Sequence, residues 1–571
     1  MEKLIFLGIT ALILIFFALL GARNERNRRK AFLQKMRRTF GESPAKKYTA
    51  DSYAHIPKYH TKHPTSKPLD DITWNDLDMD NVYARINYCR SAAGEEVLYH
   101  MLRSPDIAKA SGDEEKFRDA LEKKITFFSA HEEERLQSQL LFEDMRQVTK
   151  YSAYDHLSTL SKQEAASNRG HLLMLFAILV SAAACLFSFY PFFVIAVALI
   201  AVNVLSYYRS KNDMAPYLAT FSYIIRLING SESLKRLLKT PSFKGLFEEE
   251  INALDSCIHN MKPFTRGSFL VMNASNSASG NPLDLLFDYI KIMTHIDLIK
   301  FNSMYKQLCQ HEDEVDRMIT TTGMTEVAIS IACLRASLKE SWCVPAFTES
   351  DTFDLEEGYH PLLRDPVKDS IRCDNNVLIT GSNASGKSTF LKMCAINAVT
   401  SQTLNTAFAS KYQAPYYDIY SSMALTDDIH GGDSYYIVEI KSLKRILDAA
   451  AVSDRRVLCF IDEVLRGTNT LERISASSQI LKSFTRQNVQ CFAATHDGEL
   501  TQILEDIYDN YHFDTEIEND DILFTYKLKK GRSQTRNALQ LLRLIGYNEK
   551  IVSDAEEMAE HFLQTGEWLR A

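Results

Sequence analysis

Nothing in this 571-residue sequence supports a disulfide scaffold or a zinc site. The ten cysteines (Cys89, Cys185, Cys257, Cys309, Cys333, Cys343, Cys373, Cys394, Cys459 and Cys491) are scattered, with no C-x-x-C pair and no histidine at zinc-ligand spacing. They read as reduced core thiols. An excess of positive charge is also missing, since 65 Lys and Arg stand against 73 Asp and Glu for a formal net charge of −8. That balance excludes a global attraction to nucleic acid and leaves room only for a local basic surface. The N-terminal half shows no catalytic constellation either. Its histidines (His100, His131, His156, His259, His295, His311) stand singly and read as surface or packed residues, not ligands.

What is present begins with hydrophobic segments. Leu4 to Ala22 is an uncharged run of nineteen residues, followed at once by Arg23, Arg26, Arg28, Arg29 and Lys30. Such a run matches a bilayer core of roughly 30 Å, and the basic flank predicts an outside N-terminus. A cleaved signal peptide is the alternative; the basic flank and Leu20 oppose it. From His171 to Tyr208 no Asp, Glu, Lys or Arg occurs in thirty-eight residues. This predicts a transmembrane hairpin whose ends, marked by Arg169, Arg209 and Lys211, lie on the cytoplasmic side; a pair of buried core helices is the alternative. Together these segments predict three transmembrane helices at residues 1–22 and 171–208. Residues 23–68, basic and punctuated by Pro44, Pro57, Pro64 and Pro68, read as a juxtamembrane linker suited to anionic lipid. Across 69–346, outside the hairpin, apolar residues recur at three and four spacing, as in Leu234, Leu237 and Leu238, which predicts helices.

The last region, 347–571, carries the chemistry. Val377 to Thr380 reads as a buried strand, and Gly381-Ser382-Asn383-Ala384-Ser385-Gly386-Lys387-Ser388 then matches G-x-x-x-x-G-K-[ST] ahead of an apolar helix from Thr389. In that order, small residues let the backbone amides face phosphate, Lys387 neutralises charge and Ser388 holds Mg²⁺. Val457 to Ile461 is a second strand ending in Asp462, which would order Mg²⁺, and Glu463, which would act as general base on water. A third strand from Cys491 ends at Thr495 and His496, suited to the γ-phosphate.

The flanks of these motifs resemble the MutS family of mismatch-repair ATPases. Thr380 to Thr389 is similar to T-G-P-N-M-G-G-K-S-T, with Asn383 a matching residue; Asp462 to Thr470 is similar to D-E-[IL]-G-R-G-T-S-T; Ala494 to Leu500 is similar to A-T-H-Y-x-E-L. Asp427 to Glu439 resembles D-D-L-x-x-G-x-S-T-F-x-x-E, and Tyr359-His360-Pro361 resembles R-H-P. More faintly, Leu69 to Leu77 and Ala93-Gly94-Glu95 to Pro105 resemble the start of the family's core and lever. The resemblance implies an α/β P-loop NTPase fold of the ABC-like MutS type, C-terminal to an all-α core and lever region. It implies ATP and Mg²⁺ as cofactors, a homodimer in which Ser434 reaches the partner's nucleotide in trans, and DNA as a candidate partner. The residues before Leu69 do not read as a mismatch-recognition domain, so mismatch reading is not expected to carry over. The expectation is a multi-pass protein, by default of a bacterial inner membrane, with a cytoplasmic ATPase that moves helical arms. The competing readings are a nucleotide-dependent membrane scaffold and an ABC-transporter ATPase, whose L-S-G-G-Q signature would lie nearer the carboxylates. The basic tract Lys527 to Arg536 reads as a solvated strand end and turn before it reads as a nucleic-acid patch.

Overall fold

The computed structural model describes the chain apart from residues 1, 45, 47, 49–54, 147–151, 153, 155–166, 244, 273–281, 383–384, 424–434, 467, 486–487, 519–520, 534–537 and 570–571. Two compact units emerge: residues 1–63, 87–100 and 123–336, and residues 64–86, 101–122 and 337–571.

Among the described residues the first unit holds helices and no strand. Its first helix, Glu2–Arg38, runs for 37 residues and does not stop at Ala22. Over 23–38 the expected linker is therefore helix. Arg23 to Arg38 contains no proline or glycine and is rich in good helix formers, so the helix continues. Part of its basic face meets protein instead of lipid: Arg28 and Arg29 approach Asp144 at 3.2 and 3.5 Å, and Arg37 contacts Glu132 at 2.5 Å. These acids belong to the helix Glu132–Asp144.

The hydrophobic stretch after Arg169 folds as two helices, Arg169–Ala184 and Phe189–Met214. The bend falls at 185–188, so Pro191 sits in the first turn of the second helix, where its missing N–H costs nothing. Across the hairpin, Ser181 Oγ donates to Phe192 O at 3.0 Å. Leu172, Phe176, Leu179, Phe193, Val194 and Val197 are exposed, which argues against a pair of buried core helices. Of the three expected transmembrane helices, one, Phe189–Met214, is among the described residues long and apolar enough to cross a membrane. At 1.5 Å per residue its 26 residues reach about 39 Å, whereas the 16 of Arg169–Ala184 reach only about 24 Å.

Topology also pairs histidines that the sequence leaves single. His60 and His100 approach at 3.1 Å between Nδ1 atoms, and His171 and His295 at 2.9 Å. Among the cysteines, Cys309 is exposed and Cys185 and Cys343 are half-buried; the other seven are buried.

Among its described residues the second unit holds ten strands: β1 (Ala346–Phe347), β2 (Phe353–Gly358), β3 (Asp369–Cys373), β4 (Asn376–Thr380), β5 (Lys411–Ala414), β6 (Tyr417–Ser422), β7 (Arg456–Asp462), β8 (Val489–Ala494), β9 (Tyr508–Glu518) and β10 (Asp521–Lys530). One sheet has the order β1-β5-β2-β3 and the other β10-β9-β4-β8-β7-β6. From β9 to β6 the larger sheet is parallel, with β10 antiparallel on β9. The Val/Leu/Ile run of β4 and the Val489–Ala494 run of β8 are buried throughout, as strands covered on both faces must be. The helix Asp71–Asp76 belongs to this unit and packs on β6. Asp70 caps it through the Thr73 amide at 2.8 Å, and Asp76 accepts from Ser421 Oγ at 2.6 Å and Met423 N at 2.9 Å, satisfying the edge strand β6.

Candidate nucleotide site

The order β4-β8-β7 sets the geometry. These three strands are parallel neighbours, so the loops leaving their carboxyl ends open on one edge of the sheet, where α/β folds bind ligands. The loop after β4 closes with Gly386 at φ +105°, a conformation that side chains rarely adopt, and a Cβ there would meet the Tyr526 ring at 3.1 Å. The helix Lys387–Leu404 starts immediately afterwards with no side-chain cap on its first amides. Those amides and the dipole suit an anion. Lys387 Nζ donates to Gly381 O and Ser382 O, both at 2.9 Å, holding the ammonium within its own loop. Burial lowers the Lys387 pKa, and the negative charge of Asp462 and Glu463 opposes that shift. Ser385 is buried with its hydroxyl unpartnered, while Ser388 and Thr389 are exposed in the first helical turn. Asn383, Ala384 and the trans-acting candidate Ser434 lie outside the described residues.

At the end of β7, Glu463 is held on both oxygens. His496 Nε2 lies 2.8 Å from Oε1 and Arg466 Nε lies 2.6 Å from Oε2. The hydrogen bond from His496, then the charge of Arg466, keeps the Glu463 carboxyl below its ordinary range despite burial. It is therefore an anion at neutral pH, placed beside the P-loop lysine. Its backbone is strained: Glu463 and Leu465 both have φ near +62°. Three of its backbone amides are bonded. Glu463 N donates to Ala494 O at 2.9 Å, and the amides of Leu465 and Arg466 donate to Glu439 Oε1 and Oε2 at 2.6 and 3.0 Å. Glu439 is buried in the helix Tyr435–Val452, and that burial raises its pKa against the two amide bonds. Leu465 occupies the position at which the resembling motif has glycine, and its left-handed φ gives the physical reason for a glycine there.

His496 is braced from the other side. Asp497, the next residue, takes a bidentate pair from Arg473 at 2.9 and 2.6 Å, which ties the β8 loop to the helix Thr470–Phe484. Asp497 N also donates to Thr495 Oγ1 at 3.0 Å. Sequence reasoning missed Glu439, Arg466, Arg473 and Asp497 as site residues. Arg466, Glu439 and Asp497 stand inside family-like motifs, but Arg473 lies 24 positions from Asp497 and only the β7-β8 adjacency brings the two together. His360 is buried, which lowers its pKa to about 4 and makes it neutral.

The metal donors fit Mg²⁺ by chemistry. Ser388 and Asp462 offer one hydroxyl and one carboxylate, hard oxygens of the kind that share Mg²⁺ with water and phosphate. Among the described residues no group of three His, Cys, Asp or Glu could hold a metal by itself.

Residues 377–563 match MutS domain V. The match begins at β4 and takes in the P-loop, Asp462, Glu463 and His496. Over 261 residues the chain is 28% identical to the DNA mismatch repair protein MutS of Persephonella marina, covering 44% of this chain and 29% of the relative. The MutS proteins of Natronomonas pharaonis and Aquifex pyrophilus are 27% and 26% identical over 271 and 269 residues, each covering 45% of this chain and 31% of the relative. The chain thus spans about three-tenths of the length of these curated relatives. The similarity is to the ABC-like P-loop ATPase domain of MutS, and the mixed sheets behind a largely helical N-terminal region agree with it.

Proposed function

We propose that the chain is a membrane-anchored ATPase of the MutS family, in which ATP binding and hydrolysis rearrange a homodimer and its helical arms. The observation that carries this reading is the convergence of Lys387, Asp462, Glu463 and His496 at neighbouring strand ends, within a stretch similar to MutS domain V. Mg²⁺, when bound, neutralises phosphate charge. The protein's own residues do the rest. Lys387 leaves its loop carbonyls for the β and γ phosphates, and the uncapped helix amides bind the same groups. Glu463 is parked by His496 and Arg466, each of which is also suited to the γ-phosphate. When phosphate draws one of them away, a carboxylate oxygen is free to polarise the attacking water. Ser434 of a second copy completes the site, as the family resemblance implies.

The exposed apolar hairpin supports membrane attachment, and Arg169, Arg209 and Lys211 favour placing both its ends on the ATP side. DNA is the proposed partner of the arms, on the strength of relatives named as DNA mismatch repair proteins. The basic tract from Lys527, at the end of β10, adds little to this: Lys529 pairs with Asp514 at 2.9 Å, and Arg532 with Glu505.

The test is ATP turnover by the full chain in vesicles, beside Glu463→Gln, with single-stranded, duplex and branched DNA over a salt series. We expect hydrolysis by the parent, an ATP-loaded dimer trapped by the variant, and stimulation by DNA that weakens with salt. Turnover that ignores every DNA removes DNA from the proposal. Equal turnover by parent and variant refutes the role of Glu463.

A further inference from the structure

The helix Pro282–Thr294 packs against both hairpin helices, yet it leaves Phe287, Tyr289 and Ile290 exposed, at 59%, 67% and 43%. We infer that this helix is a second lipid-contacting element, lying along the bilayer interface beside the hairpin; the inference rests on the membrane reading proposed above.

Three observations favour lipid as the occupant of this face. The first is continuity, because the exposed apolar surface of the hairpin passes onto a helix packed directly against it. The second is size and charge. Thirteen residues reach about 20 Å, too short for a core of roughly 30 Å, and the helix carries an ion pair, Lys291 with Asp288 at 3.7 Å. An exposed aromatic and aliphatic face on a short charged helix, with a tyrosine among the exposed residues, is the composition of an interfacial helix.

The third is how the helix ends. Its last carbonyls would be orphans in a low-dielectric margin. Asn203, buried in the helix Phe189–Met214, donates to Ile292 O at 2.8 Å and to Met293 O at 3.4 Å. His295 closes the chain reversal, with Nε2 3.2 Å from Asn203 O, and Tyr207 donates to Asp297 at 2.8 Å. These bonds fasten the helix end to the hairpin without using its exposed face.

The experiment places a photo-reactive benzoylphenylalanine, one position at a time, at Phe287, at Val197 on the hairpin and at Val452 in the second unit, all exposed side chains. Full-length protein is reconstituted in phosphatidylethanolamine and phosphatidylglycerol vesicles, irradiated, and read by mass spectrometry for lipid adducts. We expect adducts at 197 and 287, with the yield at 287 about tenfold above that at 452, as for a side chain sunk roughly 5–10 Å into the boundary. Lipid at 197 with none at 287, or a protein adduct at 287, overturns this inference and leaves the membrane reading intact. No lipid at either position overturns both.

Discussion

Gly94 tests the packing of the helical unit most sharply. It lies in the helix Ala92–Arg103, and a Cβ added there would sit 2.2 Å from Glu326 Oε2 and 3.0 Å from the Cys89 Cβ. Glu326 has no room to retreat. Fully buried on the long helix Glu312–Ser337, it accepts from Arg90 N, at 2.5 Å, from Ser91 N, at 3.2 Å, and from the Ser91 hydroxyl. Gly94→Ala gains about 1 kcal/mol of helix propensity. Against this, moving Glu326 strands two buried amides at roughly 1–3 kcal/mol each. The loss wins, and we expect a net destabilisation of about 2–4 kcal/mol, read as a lower urea midpoint of the helical signal. A cycle with Glu326→Ala isolates the clash. In that background the carboxylate is gone, so Gly94→Ala should become neutral or stabilising. If the two substitutions instead add without coupling, the contact is not what demands glycine.

Burial pushes the Glu326 carboxyl up to about 7 from an ordinary 4.5. Its folded form holds the proton more tightly, so its contribution to stability is fully present below about pH 4.5 and falls by roughly 3 kcal/mol as pH rises through 7; urea midpoints across that range should slope downward, and Glu326→Gln should flatten them. Leu465→Gly relieves a left-handed backbone worth about 1–2 kcal/mol but empties a buried leucine site worth roughly 2–5 kcal/mol; we expect net destabilisation, and a gain in midpoint would refute that ranking. Arg473 acts through Asp497 as a positioning residue for His496. Arg473→Ala should lower kcat by roughly 10–100-fold with KM unchanged, and the exchange Arg473→Asp with Asp497→Arg should recover part of it; a change in KM alone would count against positioning.

The candidate nucleotide site was legible in the sequence because its parts are local. A P-loop needs adjacent small residues, a lysine and a helix start, and a strand end needs only an apolar run before its carboxylates. Lys387, Asp462, Glu463 and His496 could therefore be named from short strings, and β4, β7 and β8 lie within one or two residues of the expected strands. Helices within 69–346, outside the hairpin, were legible from apolar spacing, though the last of them ends at Ser337 and a strand starts at Ala346, and the hairpin was legible from the absence of charge.

Other features depend on strands and helices that meet only after folding. That Glu439 would cap the strained turn after β7, or that Arg473 would brace the β8 loop, follows from the order β4-β8-β7 and not from spacing along the chain. The helix Glu2–Arg38 ran past its expected end because charge marks a membrane border but does not break a helix. A motif string could place glycine at position 94 but not explain it, since the reason is a carboxylate more than two hundred residues away. Local chemistry is written in neighbouring residues, where covalent geometry enforces proximity. Which distant groups share a buried, low-dielectric space, and so which charges must be paired and which side chains excluded, was decided by tertiary packing alone.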